Sequence, residues 1–182
     1  VSANWFGRPA DRLTALAVTG TNGKTTTTYL LKAMLEGVLG AKVGLIGTNQ
    51  NMIGGAVLPA HRTTPESWEV QKLLREMAAS SHAMVLHRVD GIRFAAGIFT
   101  NLTRDHLDFH GTMEAYRDAK GRLFRQTDTA VLNLDDEAGR YFASTVACPK
   151  LTYSENKDDA DLTAKNLRLF PDRVEFEAVA VG

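Results

Sequence analysis

A glycine-rich turn near the start of the chain constrains the fold more than any other stretch. It has the sequence Gly-Thr-Asn-Gly-Lys-Thr-Thr at residues 20–26, after a short apolar run at 13–18 and before apolar residues at helical spacing over 29–39. This pattern predicts a strand, a glycine loop and a helix. In that order, the N–H groups of the loop and the positive end of the helix dipole converge to form a cradle for phosphate groups.

Two side chains after the second glycine suit a nucleoside triphosphate. Lys24 can reach the β- and γ-phosphates, and the Thr25 hydroxyl can ligate Mg²⁺. The full Walker pattern has a glycine where this chain has Val18, so only the second half of that pattern is present. The flanking strand and helix pattern favours a phosphate cradle over a chance Gly-x-x-Gly-Lys-Thr turn.

Composition indicates one ordinary globular domain. The 182 residues are 44% hydrophobic and 23% charged, with 21 basic and 21 acidic residues. This balance argues against wholesale attraction to nucleic acid or to an anionic membrane. The single Cys148 excludes an intrachain disulfide, and no apolar run approaches the roughly 18 residues of a spanning helix. We expect a cytoplasmic protein without nucleic-acid or membrane partners.

Strand and helix patterns alternate along most of the chain. Apolar strands at 41–47, 95–100 and 129–134 alternate with helical segments through short connections, and Gly54-Gly55 marks a hairpin turn. The predicted fold is α/β of the P-loop type, with a mostly parallel sheet and helices on both faces. The segments 150–153, 162–170 and 173–181 are expected to form an antiparallel C-terminal portion.

Polar residues cluster where ligands of parallel sheets collect, at the carboxyl ends of strands. Thr63 and Thr64 precede a predicted helix, where they either cap that helix or hold an anionic substrate. Residues 101–111 combine two histidines with two aspartates directly after a strand. This cluster is either a magnesium or phosphate site or a polar loop whose groups satisfy one another. Lys120, on the next helix, is by residue type usually a solvated side chain.

Six motifs, taken together and in order, resemble the central ATP-binding domain of the MurE family, the UDP-N-acetylmuramoyl-L-alanyl-D-glutamate ligases of peptidoglycan synthesis. They are GTNGKTT at 20–26, TTPE at 63–66, SSHA at 80–83, RVDG at 88–91, TNLTRDHLDFHG at 100–111 and YRDAK at 116–120. The resemblance implies an ATP-dependent ligase that adds an amino acid, meso-diaminopimelate or L-lysine, to UDP-MurNAc-L-Ala-D-Glu through an acyl phosphate.

The resemblance also implies roles for individual residues. The ATP-binding residues would be Gly20, Thr21, Asn22, Gly23, Lys24, Thr25 and Thr26. The catalytic residues would be Lys24, Lys120 and His106, and the Mg²⁺ ligands would be Thr25, His106 and Lys120 as a carbamate. The substrate contacts would be Thr63, Thr64, Ser81 and Arg88, with Asn133 and Asp135 near the nucleotide.

Three departures from the family pattern lead to further expectations. The family's N-terminal UDP-binding and C-terminal amino-acid-binding domains are missing, so we interpret residues 1–10 as a linker and 11–182 as a truncated central domain. Leu86 stands where some relatives carry a polar substrate contact. About ten residues, including a strand and a metal-binding Glu, are expected between Ala79 and Ser80. We therefore predict a gap at 79–80 with an unfilled strand position.

Two alternatives remain. The isolated chain is a nucleotide-binding module without ligase activity of its own, or it belongs to another Mur-type ligase, such as a folylpolyglutamate synthase or a cyanophycin synthetase. The amino acid that is added is not encoded in these residues, because the family reads it in a domain outside them.

Overall fold

The computed structural model describes residues 1–47, 49–58, 66–79, 92–103 and 112–181, together with the backbone of 83–86. The helices are α1 (Ser2–Trp5), α2 (Lys24–Leu39), α3 (Ser67–Ala79), α4 (Met113–Gly121) and α5 (Glu137–Thr145). The strands are β1 (Ala15–Thr19), β2 (Val43–Ile46), β3 (Asn51–Ile53), β4 (Ala56–Leu58), β5 (Ala83–Leu86), β6 (Phe94–Phe99), β7 (Thr127–Asn133), β8 (Lys150–Ser154), β9 (Leu162–Leu169) and β10 (Val174–Ala180). Short 3₁₀ turns lie at Pro9–Arg12 and Arg122–Gln126.

The described strands form one mixed sheet in the order β10-β9-β8-β7-β6-β1-β5-β2-β3-β4. All neighbouring pairs from β9 to β2 in that order are parallel, whereas β3 and β4 at one edge and β10 at the other are antiparallel to their neighbours. The predicted fold class is confirmed, but the antiparallel C-terminal portion is narrower than expected. Strand β8 is parallel because α5 carries the chain back across the sheet before it, which is the usual crossover of a βαβ unit.

Helices cover both faces of the sheet. Successive side chains of β1 point in opposite directions and pack against different helices. Ala15 and Ala17 pack in a core with residues from α3, among them Leu74 and Met77. Val18 lies on the other face in a cluster that includes Leu31 and Leu35 of α2. A third cluster joins β6 and β7 to α5. The core therefore holds β1 rigidly just before the glycine loop.

Strand β5 fills the position between β1 and β2. Met84 pairs with Ala15 of β1 and with Gly44 of β2, both in parallel register. The expectation of an unfilled strand position is therefore wrong. An open position would leave main-chain groups of two central strands unpaired, and the apolar residues after the Ser-Ser-His motif form the missing strand instead. The spacing between Ala79 and Ser80 lies outside the described residues.

The segment interpreted as a linker, residues 1–10, contains α1 and the start of a 3₁₀ turn. Pro9 is buried, and the guanidinium of Arg75 on α3 lies 5.2 Å from the centre of the Phe6 ring. This segment therefore packs against α3. Among the described helices, none combines the length and the hydropathy that crossing a bilayer requires.

Two helical glycines should respond in opposite ways to the same substitution. A Cβ at Gly139 would lie 1.7 Å from the main-chain oxygen of Asn133, so Gly139→Ala forces α5 away from β7 and should destabilise the protein by about 1–3 kcal/mol. A Cβ at Gly37 meets nothing within 4 Å, so Gly37→Ala should stabilise α2 by about 0.5–1 kcal/mol. Urea unfolding of both variants checks this, and equal effects would contradict the tight packing of α5.

Candidate functional site

The predicted glycine loop lies at the carboxyl end of β1 and leads directly into α2. Gly20 and Gly23 have φ values of 148° and 81°, which side-chain-bearing residues rarely adopt. Gly23 immediately precedes Lys24, the first residue of the 16-residue helix. The N–H groups in the first turn of a helix have no partners within that helix. The predicted strand, loop and helix are confirmed, and the loop brings these donors to one edge of the sheet.

Two lysine side chains meet at the main-chain oxygen of Gly20. Lys24 Nζ donates to Gly20 O at 3.0 Å and to Thr21 O at 2.6 Å. Lys120 Nζ donates to the same Gly20 O at 2.9 Å from a side chain that is only 8% exposed. Both contacts place a positively charged side chain beside the loop. The loop is therefore suited to an anionic ligand.

The N-cap of α4 determines where this helix begins and so helps to place Lys120 beside the loop. Thr112, its N-cap, accepts a hydrogen bond from Ala115 N at 3.1 Å. Lys120 lies in the last turn of this helix, where its ammonium also stacks 4.4 Å from the centre of the Tyr116 ring. The structure thus brings Lys24 and Lys120 together, as the resemblance implied, although they lie 96 positions apart in a chain of 182.

The loop rests against residues 100–103, which follow β6 and which we call the bracing segment. Asn101 makes three hydrogen bonds to the loop: its main-chain oxygen accepts from Thr21 N at 2.8 Å, its Oδ1 accepts from Asn22 N at 3.0 Å, and its Nδ2 donates to Asn22 O at 3.2 Å. The Thr100 hydroxyl donates to the same Asn22 O at 2.7 Å. Thr103 N donates to the Thr21 hydroxyl at 3.1 Å.

Side chains at the carboxyl ends of β7 and β8 hold the bracing segment and the end of β6 from the other side. The hydrogen bonds are Tyr153 Oη to Phe99 O (3.0 Å), Asn133 Nδ2 to Thr100 O (2.8 Å) and Leu102 N to Asp136 Oδ2 (2.8 Å). Burial, followed by the nearby carboxylates of Asp135 and Asp136, raises the pKa of Tyr153 to about 12, so its hydroxyl keeps the proton that it donates.

Asn133 and Asp135, expected near the nucleotide, use their side chains on the protein itself. Asn133 Oδ1 accepts from Asp135 N at 2.9 Å, in addition to the bond to Thr100. Desolvation raises the pKa of Asp135, but hydrogen bonds from the Ser154 hydroxyl at 2.6 Å and from Glu155 N at 2.7 Å outweigh it, and the pKa is lowered from its ordinary value. These contacts give both residues a structural role at the sheet edge.

Several predicted site residues lie outside the described residues. They are Thr63, Thr64, Ser81, Arg88 and His106. Thr25 and Thr26, by contrast, occupy the first turn of α2 beside Lys24. Within the described ranges, no group of three or more His, Cys, Asp or Glu side chains is arranged to hold a metal ion.

The sequence placed Thr100 and Asn101 in a family motif but gave neither residue an individual role, although both contact the loop. Their signal was a Thr-Asn pair directly after an apolar strand, at the edge where ligands collect. Asn101 and its partner Asn22 are 79 residues apart in the chain, so no local sequence pattern connects the two.

A strand, a glycine loop and a helix that begins with lysine, at the carboxyl edge of a parallel sheet, define a nucleotide-phosphate-binding domain of the P-loop type. The family description Mur ligase middle domain matches residues 18–181. The chain belongs to this family.

Named relatives are ligases of the MurE type, as the sequence resemblance indicated. UDP-N-acetylmuramoyl-L-alanyl-D-glutamate--2,6-diaminopimelate ligase of Clostridium botulinum is 43% identical over 189 residues, which cover 98% of this chain and 39% of the relative. Clostridium acetobutylicum has a ligase of the same name, numbered 1, that is 46% identical over 187 residues. These residues cover 97% of this chain and 38% of the relative. A solved structure of a ligase with the same name has a TM-score of 0.78 at 30% identity, covering 92% of this chain and 37% of that one.

Two features of length follow from these comparisons. The chain spans about 39% of the length of the curated relatives that it matches. The alignment with the botulinum ligase is 189 residues long, more than the 182 residues of this chain, so the relative has residues within the aligned region that this chain lacks.

An FPGS–AMPPCP complex has the same fold, with a TM-score of 0.74 at 16% identity.

The loop should not tolerate a side chain at Gly20. A Cβ there would lie 1.9 Å from Thr100 Oγ1 and 3.1 Å from both Asn101 N and O, at a φ that alanine rarely adopts. Strain of about 1–3 kcal/mol should weaken nucleotide binding by about 5- to 150-fold in Gly20→Ala. Gly55→Ala is the control, because a Cβ at Gly55 meets nothing within 4 Å. Calorimetric titration with an ATP analogue checks this, and unchanged affinity in Gly20→Ala would contradict it.

Proposed function

We propose that this chain is the ATP-binding core of a cytoplasmic ligase that joins 2,6-diaminopimelate to UDP-N-acetylmuramoyl-L-alanyl-D-glutamate in peptidoglycan synthesis. The observation that carries the proposal is the position of the Lys24 ammonium, on Gly20 O and Thr21 O at the N-terminus of α2. The names of the relatives supply the substrates. The complete reaction belongs to a protein longer than this chain.

In this proposal, Lys24 binds the triphosphate of ATP. Its ammonium is held by the main-chain oxygens of Gly20 and Thr21 and can exchange them for β- and γ-phosphate oxygens. The N–H groups at the start of α2 and the helix dipole add to the positive potential there. Charge neutralisation and positioning are the main contributions that phosphoryl transfer needs from a protein.

Two of the proposed magnesium ligands lie among the described residues. Thr25 offers a hydroxyl on the first turn of α2. An unmodified Lys120 ammonium repels a cation, whereas a carbamate on its Nζ is an anion and still keeps one N–H for Gly20 O. The residues therefore fit Mg²⁺ with Lys120 carbamylated, and His106, the third proposed ligand, lies outside the described residues. Bound Mg²⁺ supplies positive charge that neutralises the phosphate oxygens.

The reaction then needs no covalent enzyme nucleophile. A carboxylate oxygen of the dipeptide attacks the γ-phosphorus of ATP, ADP leaves, and an acyl phosphate forms. The amine of diaminopimelate attacks the acyl carbon, phosphate leaves, and the nitrogen loses one proton. Lys24 stabilises the charge that develops on the transferred phosphoryl group, and the loop holds the nucleotide in line with the carboxylate.

The folylpolyglutamate synthase alternative is less well supported. The FPGS–AMPPCP complex resembles this chain at 16% identity, which is evidence of a shared fold alone. The ligases with 43% and 46% identity carry the same name, with the same dipeptide and diaminopimelate substrates. The second alternative, a module that binds nucleotide without ligating, remains the expectation for these 182 residues by themselves, since they span about 39% of a relative.

Lys24→Ala should abolish ATP-dependent ligation in the complete protein. The substitution removes the ammonium that neutralises the transferred phosphoryl group, a loss of at least about 10³-fold in kcat for groups of this kind. Lys42→Ala, a change of the same type at an exposed lysine before β2, is the control. Phosphate release is measured with UDP-MurNAc-dipeptide, ATP and diaminopimelate.

Three outcomes of that assay are informative. Wild-type rates in Lys24→Ala would refute the nucleotide site. Activity with L-lysine or with folate substrates, and none with diaminopimelate, would refute the assigned reaction. Product from the 182-residue chain alone would refute the view that it needs further domains.

Lys120→Ala should remove most activity, and acetate or formate should restore part of it. A small carboxylate can occupy the space of the missing carbamate and supply its negative charge to the metal site. Lys72→Ala, at an exposed helical lysine of α3, should behave as wild type with and without the acids. Steady-state rates of the complete protein are compared in acetate and in chloride at equal ionic strength. Full activity of Lys120→Ala in chloride would end the idea.

A further inference from the structure

We propose that Thr100 and Asn101 are positioning residues that set the orientation of the phosphate loop by holding the Asn22 carbonyl away from the nucleotide. This inference rests on the proposed nucleotide site and concerns two residues to which that proposal gives no part. Both donate to the same oxygen, Thr100 Oγ1 at 2.7 Å and Asn101 Nδ2 at 3.2 Å.

The orientation of one peptide group decides what the loop presents to a phosphate. In a planar trans peptide, the carbonyl of Asn22 and the N–H of Gly23 point in opposite directions. Holding Asn22 O against the bracing segment therefore turns Gly23 N–H away from that segment, towards the open side of the loop. The flipped peptide would place a partly negative oxygen there instead. Glycine at position 23 leaves both orientations sterically accessible, so a specific contact has to select one.

Asn101 faces the loop with its side-chain amide, and Thr100 and Thr103 of the same segment also contact the loop. The main-chain oxygens of Phe99 and Thr100 and the N–H of Leu102 are bound from the side of β7 and β8, whereas the N–H of Thr100 donates to Thr19 O of β1. The side-chain amide of Asn101 pairs with both main-chain groups of Asn22, accepting from its N–H and donating to its carbonyl. A primary amide matches this pair because it carries an acceptor and a donor side by side, whereas a carboxylate offers two acceptors and an aliphatic side chain offers neither group.

The first test replaces only the donor. Asn101→Asp keeps the size of the side chain and the acceptor for Asn22 N–H, but turns the group that faces Asn22 O into a second acceptor. We expect the affinity for magnesium AMP-PCP, measured by calorimetry on the complete protein, to fall by about 10- to 100-fold. Asn4→Asp adds the same charge at an exposed residue of α1 and should change affinity less than twofold.

The second test uses Thr100 and remains informative if Asn101→Asp folds poorly. Thr100→Val keeps the shape of the side chain and removes the hydroxyl that donates to Asn22 O, so affinity should fall by about 5- to 10-fold. Thr100→Ser retains the hydroxyl and should restore affinity to within about twofold of wild type. A role in packing alone predicts the reverse order, because serine loses a buried methyl group that valine keeps.

Steady-state kinetics separate positioning from general damage. Positioning predicts that KM for ATP rises in Asn101→Asp and Thr100→Val, while KM for the UDP-linked dipeptide and the melting temperature stay close to wild type. The inference is overturned if both variants bind AMP-PCP as tightly as wild type does, or if KM rises equally for all substrates as the melting temperature falls. Failure of the wild-type protein to bind AMP-PCP would instead refute the nucleotide site itself.

Discussion

The close approach of Gly20 to Thr100 is the contact on which the site depends. A side chain at position 20 would overlap the Thr100 hydroxyl, since its Cβ would lie 1.9 Å from that oxygen. Because Gly20 has no side chain, the glycine loop after β1 and the bracing segment after β6 can lie in contact. Asn101 then reaches the loop backbone, and Gly20 O stays accessible to Lys24 and Lys120. The lack of a side chain at residue 20 therefore leaves the space in which Lys24 and Lys120 reach Gly20 O.

The dependence continues outward through the sheet. Asp136 binds Leu102 N with one carboxylate oxygen and caps α5 with the other, which accepts from Ala138 N at 2.9 Å. The same helix packs closely on β7 because Gly139 lies against the main-chain oxygen of Asn133, and Asn133 holds the oxygen of Thr100. The bracing segment is thus held on one side by Asn133 of β7 and by Asp136, the N-cap of α5, and it contacts the loop on the other. A continuous set of hydrogen bonds between main-chain and side-chain groups therefore connects the start of α5 to the phosphate loop.

Local features of this arrangement could be predicted from the sequence, whereas its long-range contacts could not. The glycine loop and the Gly54 turn depend on neighbouring residues, and both are confirmed. The helical pattern of α2 was recognised correctly, but Met34, one of its apolar positions, is 62% exposed, whereas the charged Lys32 is buried and donates to Val43 O of β2. The role of Asn101 depends on a partner 79 residues away, and only the strand order brings the two together.

Strand β5 links the fold to the interpretation of the family motifs. Because β5 is parallel to β1, it starts at the sheet edge opposite to the glycine loop and ends towards the loop, with Leu86 paired to Ala17. The alignment with the botulinum ligase is longer than this chain, so that relative has residues in the aligned region that this chain lacks. The backbone of 83–86 nevertheless pairs with both β1 and β2. Main-chain hydrogen bonding in the centre of the sheet is therefore continuous without those additional residues.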